Sequence, residues 1–232
     1  MALMNYSQAA AAALSEAMEA DPRVVALGED LGRGGIFAQY RGLQQKFGAD
    51  RVIDTPISEA TIMGAAVGMA LAGLRPVVEM RVVDFALCAM DELVNQAAKN
   101  RFMFGGQGRV PLVARMPIGL WTASAAQHSQ SLEAWFAHIP GLVVVAPAAR
   151  GRQLLVSWRA RSTSGDPVDL HGAQGTVGLS RATWSPACAC RSAVARRLRE
   201  GGDVTIVSWS KAVPTCVAAA TESARRPASK PT

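Results

Sequence analysis

The chain has 232 residues, half of them hydrophobic and 18% charged, which predicts one packed domain, alone or with part of a second, and excludes a disordered chain. Its net charge of +6 comes from residues 151–232, which carry 12 basic and 5 acidic side chains, whereas residues 1–150 carry 12 and 13. The basic residues surround no aromatic platform and match no recognised motif, so nucleic-acid binding is not expected.

The compartment is predicted from the apolar runs and the cysteines. No apolar run is long enough to cross a bilayer, so membrane association is not expected. The alanine-rich start at 9–14 has no basic segment before it and is followed by Glu16 and Glu19, which predicts a helix and not a signal peptide. The four cysteines lack paired spacing, which favours the reducing cytoplasm.

Short helices and strands alternate in the first quarter of the chain. Ser7 is a suitable N-cap for the first helix, and Gly48 is a suitable stop for the second. The expected elements are a helix at 8–20, a strand at 23–28, a glycine-rich loop at 32–37, a helix at 40–47 and a strand at 51–54.

The next helix is expected to begin after an N-cap at Ser58 and to end near Ala72, where Gly73 stops it. Small residues recur on it every four positions, at Ala60, Gly64, Gly68 and Ala72. This small face predicts a close contact with another subunit or with the core.

The alternation continues to about residue 147. The expected elements are a strand at 76–80, an amphipathic helix at 86–99, a strand at 110–115, a helix at 131–138 and a strand at 141–145. Nearly continuous apolar strands separated by helices predict an α/β fold, a doubly wound parallel sheet covered on both faces. Ligands of such sheets bind at the carboxyl ends of the strands.

Two residues at element boundaries suit proton transfer at that edge. Glu59 follows a strand at the start of a helix, and His128 lies in a polar turn and is one of only three histidines. A glutamate at a helix start can instead simply complement the helix dipole, and a histidine can make a structural hydrogen bond. The two interpretations remain open from spacing alone.

Long ordered segments of the first 147 residues resemble one family. They are Leu27-Gly28-Glu29-Asp30, the segments at 42–48 and 51–59, the run from Gly73 to Glu79, Ala97-Ala98-Lys99 and the segment 126–142. They resemble the β subunit of the E1 component of 2-oxo acid dehydrogenase complexes, of the pyruvate, branched-chain or acetoin type. This family has a transketolase-like, pyrimidine-binding domain and depends on thiamin diphosphate.

The resemblance implies a role for five residues. Glu59 would face N1′ of the aminopyrimidine of thiamin diphosphate, and Phe85 would pack against that ring. Ile57 would form an apolar wall, and Glu29 would be an acid near the cofactor. His128 would hydrogen-bond reaction intermediates and assist transfer of the acyl group to a lipoyl arm. Each has a simpler alternative, since Phe85 can be core, Ile57 an ordinary apolar residue and Glu29 part of a solvated turn.

The resemblance implies that this chain supplies only half of a cofactor site. The family's diphosphate half carries Gly-Asp-Gly and a distant asparagine, which hold Mg²⁺, and Gly165-Asp166-Pro167 and Gly202-Asp203-Val204 do not match that pattern. No metal site is therefore expected on this chain. The implied partners are an E1 α subunit in an α2β2 heterotetramer, which would hold Mg²⁺, a lipoyl-bearing E2 acyltransferase and a 2-oxo acid substrate.

The sequence departs from the family after about residue 148 and resembles it again at 198–213. We therefore expect residues 1–197 to form the pyrimidine-binding domain, and residues 198–232 to be the truncated start of a transketolase C-terminal-like domain.

Three functions follow from these patterns. The first is an E1 β subunit that decarboxylates a 2-oxo acid and transfers the acyl group to lipoyl-E2. The second is a catalytically inactive, degenerate fragment of such a subunit. A small nucleotide-binding domain is the third, although no Gly-x-Gly-x-x-Gly follows the first strand.

Overall fold

The computed structural model describes residues 3–4, 6–119, 123–146, 168–173, 182–183, 197–210 and 212–224. The described strands are β1 Leu3–Met4, β2 Val24–Gly28, β3 Val52–Asp54, β4 Arg75–Glu79, β5 Val113–Ile118, β6 Val143–Val145, β7 Val168–Ala173 and β8 Ala182–Thr183. The described α-helices are α1 Tyr6–Ala20, α2 Leu43–Phe47, α3 Glu59–Leu71, α4 Ala98–Met103, α5 Glu133–Ala137 and α6 Ala212–Ser223.

Six strands form one parallel sheet in the order β3-β2-β4-β5-β7-β6, and β1 pairs antiparallel with β8. All five residues of β2 and all six of β5 are buried, because helices cover both faces of the sheet. The predicted α/β fold with a doubly wound parallel sheet is confirmed.

Alternate strand residues enter two apolar layers, as the twofold period of a strand requires. One layer contains side chains of α3 and of the helical segment 83–97, and the other contains side chains of α1. The first layer includes the strand residues Leu27, Val78 and Ala114, and the second includes their neighbours Ala26, Val77 and Val113.

Most expected elements form within a few residues of their predicted bounds. The helix expected at 86–99 is irregular and longer: a 3₁₀ segment at Val83–Ala89, a π segment at Glu92–Ala97 and then α4. Helix α1 begins at Tyr6, so Ser7 lies inside it and does not cap it. Strand β5 begins after Pro111, which lacks the N–H that a sheet ladder requires.

The small face of α3 contacts little within the described residues. Gly68 and Ala72 are exposed, and a Cβ added at Gly68 would meet no atom within 4 Å. The expected core contact does not form there, and the expected subunit contact stays a prediction.

Strand β7 lies between β5 and β6, inside the region expected to diverge from the family. The rest of that region, at 148–167, 174–181 and 184–196, lies outside the described residues, as do Cys188 and Cys190. Residues 197–210 form no regular secondary structure, although they resemble the first strand of a second domain. No described strand pairs with them, and Val204, Ile206 and Val207 are more than half exposed. The expected boundary at 197–198 stays a prediction.

None of the described helices is long and apolar enough to cross a membrane.

Candidate functional site

The carboxyl ends of four adjacent strands converge at one edge of the sheet. In spatial order these are β3, β2, β4 and β5, all parallel. Glu59 follows β3, Glu29 follows β2, Phe85 follows β4 and His128 follows β5. The structure therefore brings these four predicted residues to a single edge, where ligands of such sheets bind.

Glu29 lies directly after β2, with only 11% of its side chain exposed. Burial raises the pKa of its carboxyl, the negative charge of Glu59 raises it further, and Arg81 opposes the rise. Nη1 of Arg81 lies 3.8 Å from Oε2 of Glu29 and 3.7 Å from Oδ2 of Asp30. The carboxyl groups of Glu29 and Glu59 therefore interact electrostatically, and their like charges raise the pKa of Glu29.

Glu59 is the first residue of α3 and is partly exposed. Ser58 occupies the N-cap position, as predicted, but its side chain makes no cap hydrogen bond and instead donates to Oγ1 of Thr61 at 2.8 Å. Ile57 is 74% exposed, so it projects from the fold and is not core. Glu59 and Ile57 are therefore both accessible to a ligand or to another chain.

Phe85 and His128 make direct contact. Their ring centroids lie 5.2 Å apart and their planes cross at 89°, an edge-to-face arrangement. Phe85 belongs to the 3₁₀ segment after β4, and His128 ends a 3₁₀ helix at Ala126–His128. Both are partly exposed, so neither is an ordinary core residue.

The sequence reasoning missed a side-chain hydrogen bond beside that contact. Nε2 of Gln130 donates to Oδ1 of Asp84 at 2.8 Å, and Asp84 is 6% exposed. The bond joins the segment of Phe85 to the segment of His128. An aspartate inside the otherwise apolar stretch Val82 to Ala86 is the sequence signal that could have revealed it.

A buried ion pair lies behind the edge and was also missed. Glu79, the last residue of β4, is 5% exposed and pairs with Nη1 of Arg115, which is 2% exposed. Burial raises the pKa of Glu79, and the Arg115 guanidinium opposes that rise. Nε2 of Gln39 and the hydroxyl of Tyr40 donate to the same carboxylate, at 3.0 and 2.9 Å. A charged residue inside each of two apolar strands is the signal that predicts such a pair.

This ion pair fixes the loop that begins at Glu29. Gly28 pairs in register with Glu79, and a Cβ added at Gly28 would lie 2.6 Å from the Glu79 carbonyl oxygen. The Gln39 and Tyr40 bonds then tie the far end of the loop to the same strand. Glu29 is thus held between two points of attachment on β4.

Three buried polar atoms near the site have no hydrogen-bond partner among the described residues. They are Oγ1 of Thr55, Oδ2 of Asp84 and Oγ of Ser129. Buried polar atoms are normally satisfied, so these are available to a ligand, a water molecule or another chain. In the part of the chain that the structure describes, no three His, Cys, Asp or Glu side chains gather as a metal site would require.

The sequence matches a known domain family. Residues 2–168 match the family described as "Transketolase, pyrimidine binding domain". The chain is 42% identical to pyruvate dehydrogenase E1 component subunit beta-2, mitochondrial, of Oryza sativa subsp. japonica over 90% of this chain and 57% of that protein. It is 44% identical to the 2-oxoisovalerate dehydrogenase subunit beta of Bacillus subtilis over 64% of this chain and 46% of that protein.

A third relative carries a different activity in its name. Acetoin:2,6-dichlorophenolindophenol oxidoreductase subunit beta of Cupriavidus necator is 38% identical over 90% of this chain and 64% of its own length. The chain thus spans less than two thirds of each of these three relatives.

The fold also resembles that of a solved structure of a split gene transketolase, described as an inactive beta4 tetramer. The TM-score is 0.76 at 22% sequence identity, over 95% of this chain and 68% of that one. At this identity the likeness supports the fold alone.

Proposed function

The chain belongs to the transketolase pyrimidine-binding domain family, its relatives are E1 β subunits, and we propose that it is itself the β subunit of a thiamin-diphosphate-dependent 2-oxo acid dehydrogenase E1. One observation carries the proposal: Glu59, Glu29, Phe85 and His128 follow the carboxyl ends of four adjacent parallel strands. This edge combines acidic, aromatic and imidazole groups, which are the groups that an aminopyrimidine and a keto acid require.

The described residues fit the pyrimidine half of thiamin diphosphate. A partly exposed carboxylate, an aromatic ring and an exposed isoleucine lie on one edge, together with three buried polar atoms that find no hydrogen-bond partner among the described residues. When bound, the cofactor supplies a carbon nucleophile and an electron sink for decarboxylation. Ile57 would cover the apolar side of the pyrimidine, and Phe85 would pack on its face.

Glu59 is the proposed proton partner of the cofactor. Its carboxyl group would hydrogen-bond N1′ of the aminopyrimidine and favour the imino form of the ring. Glu29 supports this role because the two carboxyl groups interact, and burial together with the charge of Glu59 raises the pKa of Glu29.

His128 is proposed to act on the substrate side. Its ring is held edge-to-face with Phe85, which would orient it toward a substrate bound beside the pyrimidine. There it would hydrogen-bond the reacting oxygen and assist transfer of the acyl group to the lipoyl arm of E2.

The remaining parts of the proposal concern partners. The exposed Glu59 edge suits a site shared with an E1 α subunit, which would hold Mg²⁺ and the diphosphate in an α2β2 heterotetramer. A lipoyl-bearing E2 would accept the acyl group, and pyruvate or a branched-chain 2-oxo acid would be the substrate. We place the protein in the cytoplasm because its cysteines lack paired spacing, and fractionation of cells that express a tagged chain tests this location.

The test is co-expression with an E1 α subunit that carries Gly-Asp-Gly and its downstream asparagine. Decarboxylation of pyruvate and of a branched-chain 2-oxo acid is then measured with thiamin diphosphate and Mg²⁺. We expect turnover with one of them, and a loss of at least about a hundredfold in Glu59→Ala. Glu16→Ala is the matched control, because that partly exposed glutamate lies inside α1 and precedes every strand of the six-stranded sheet.

Two results would contradict the proposal. Turnover that survives Glu59→Ala would remove Glu59 from the chemistry. A folded chain that neither binds the α subunit nor supports turnover would show a degenerate, inactive member of the family.

A further inference from the structure

We propose that Asp84 and Gln130 are a positioning pair that holds the His128 ring against Phe85. The effect of this pair on catalysis rests on the proposed function, whereas its effect on the position of the His128 ring does not. The pair joins two 3₁₀ segments through the 2.8 Å bond from Nε2 of Gln130 to Oδ1 of Asp84. Asp84 is adjacent in sequence to Phe85, and Gln130 lies two residues after His128.

The segment that carries His128 has little structure of its own. Its 3₁₀ helix contains three residues and no side-chain cap, and the His128 amide donates to the Ala125 carbonyl oxygen at 3.3 Å. Ala123 and Ala125 adopt positive φ values of 48° and 63°, which alanine rarely does. Such a segment keeps a fixed geometry only when contacts outside it determine that geometry.

Gln130 supplies two of those contacts. Its carbonyl oxygen accepts the Gly119 amide at 2.9 Å, directly after β5, and its side chain donates to Asp84. Asp84 is 6% exposed, and Val83 and Ala86 of the same 3₁₀ segment are fully buried. Asp84 is therefore held in a fixed position by the packing around it. Its hydrogen bond with Gln130 in turn fixes the position of the loop that carries His128.

The hydrogen bond between Gln130 and Asp84 is of a strong type. A buried carboxylate that accepts from an amide makes a charge-assisted hydrogen bond, which is stronger than a bond between neutral groups. Exchange of Gln130 for glutamate preserves its shape but places two carboxylates together. The additional exchange of Asp84 for asparagine restores one hydrogen bond with its direction reversed, because the asparagine amide then donates to the glutamate.

The first readout needs no catalytic activity. NMR spectra of the full chain contain ring-proton signals from three histidines, and the signals that disappear in His128→Ala belong to His128. The change in the chemical shift of these signals in Phe85→Leu gives the contribution of the Phe85 ring current. We expect Gln130→Glu to abolish that shift, and the double variant Asp84→Asn/Gln130→Glu to restore it. Gln130→Met, which removes the donor without adding charge, should give the same loss.

The matched control is Gln96→Glu. Nε2 of Gln96 donates to Oδ2 of Asp91 at 3.2 Å, but that pair is exposed and, among the described residues, hydrogen-bonds neither Phe85 nor His128. This exchange should leave the His128 signals unchanged. An unchanged ring-current shift in Gln130→Glu, or its absence in the double variant, would overturn the inference.

The second readout is turnover with the α subunit. Gln130→Glu should lower kcat by about ten- to a hundredfold with little change in KM, since misplacement of a group by about 1 Å has an effect of that size. In the His128→Ala background it should cause no further loss, whereas general damage to the fold would lower activity again. If all variants are inactive but the NMR pattern holds, the proposed function fails and the positioning pair stands.

Discussion

Glu79 and Glu29 lie at the same edge of the sheet, yet their surroundings differ completely. Glu79 is buried with Arg115 and accepts two more hydrogen bonds, from Gln39 and Tyr40. Among the described residues, Glu29 has an ion pair with Arg81 at 3.8 Å, and its neighbour Glu59 carries the same charge. The carboxylate of Glu79 is surrounded by donors, whereas that of Glu29 lies beside a second negative charge.

The difference separates scaffold from site. A satisfied buried charge fixes the backbone around it, as Glu79 does for the loop that begins at Glu29. A carboxyl group whose pKa is raised by burial and by a like charge lowers stability, and such groups are concentrated at functional sites. Substitutions around the buried Glu79 should therefore affect folding, and substitutions of Glu29 should affect function.

The largest effect on folding is expected for Arg115→Met, which leaves Glu79 charged and buried without its partner. The free energy of unfolding should fall by about 3–5 kcal/mol, measured by urea denaturation. Arg23→Met is the control, because Arg23 likewise pairs with a carboxylate, that of Asp21 at 2.8 Å, but is 56% exposed. The control should lose much less, because an exposed ion pair contributes little to stability. Equal losses in both variants would contradict the scaffold role.

Gly28→Ala should have the next largest effect. The new Cβ would lie 2.6 Å from the Glu79 carbonyl oxygen, so β2 and β4 must separate, at a cost of about 1–3 kcal/mol by thermal or urea unfolding. Gly68→Ala is the matched control, because Gly68 lies on α3 and a Cβ added there would meet no atom of the described residues within 4 Å. That exchange should stabilise the helix by about 0.5–1 kcal/mol. A Gly28→Ala protein as stable as wild type would contradict the close approach.

Glu29→Gln should instead stabilise the fold, by about 0.5–1 kcal/mol at pH 7. Burial and the Glu59 charge raise the pKa of Glu29, so its contribution to stability is full below the ordinary glutamate pKa of about 4.3 and is lost as the pH rises through the raised value. The gain from Glu29→Gln should therefore appear at neutral pH and vanish near pH 4. Thermal unfolding at both pH values measures this, and an equal gain at both would argue against a raised pKa.

Ile57→Ala should change stability least. Ile57 is 74% exposed, so unfolding should change by less than about 0.5 kcal/mol, whereas affinity for thiamin diphosphate in the complex with the α subunit should fall. Ile62→Ala is the control, since Ile62 is 3% exposed and should lose about 2–5 kcal/mol. Unchanged cofactor affinity in Ile57→Ala would remove Ile57 from the proposed site.

The sequence predicts the fold well because its signals are local and repeated. Apolar runs such as Val24–Gly28, each followed by a helix, predict the parallel sheet and the edge where Glu29 and Glu59 lie. The irregular helix at 83–103 was predicted as one shorter regular helix, because composition does not distinguish 3₁₀ and π geometry from α.

The candidate site was predicted in part. The family resemblance named Glu59, Phe85 and His128, and their shared edge follows from strand direction. The contact of Phe85 with His128 and the Asp84–Gln130 bond join residues more than 40 positions apart, so no local pattern indicates them. The segment 197–210 was expected to contain a strand, but strand formation requires a partner, and none is described beside it.

The proposed role of Glu59 is to activate the pyrimidine of thiamin diphosphate. Its most direct test is the rate at which the proton on C2 of the thiazolium ring exchanges for deuterium in the complex with an α subunit, without any substrate. We expect exchange that is slower by at least about a hundredfold in Glu59→Gln, with the cofactor still bound. Exchange at the wild-type rate in that variant would contradict it.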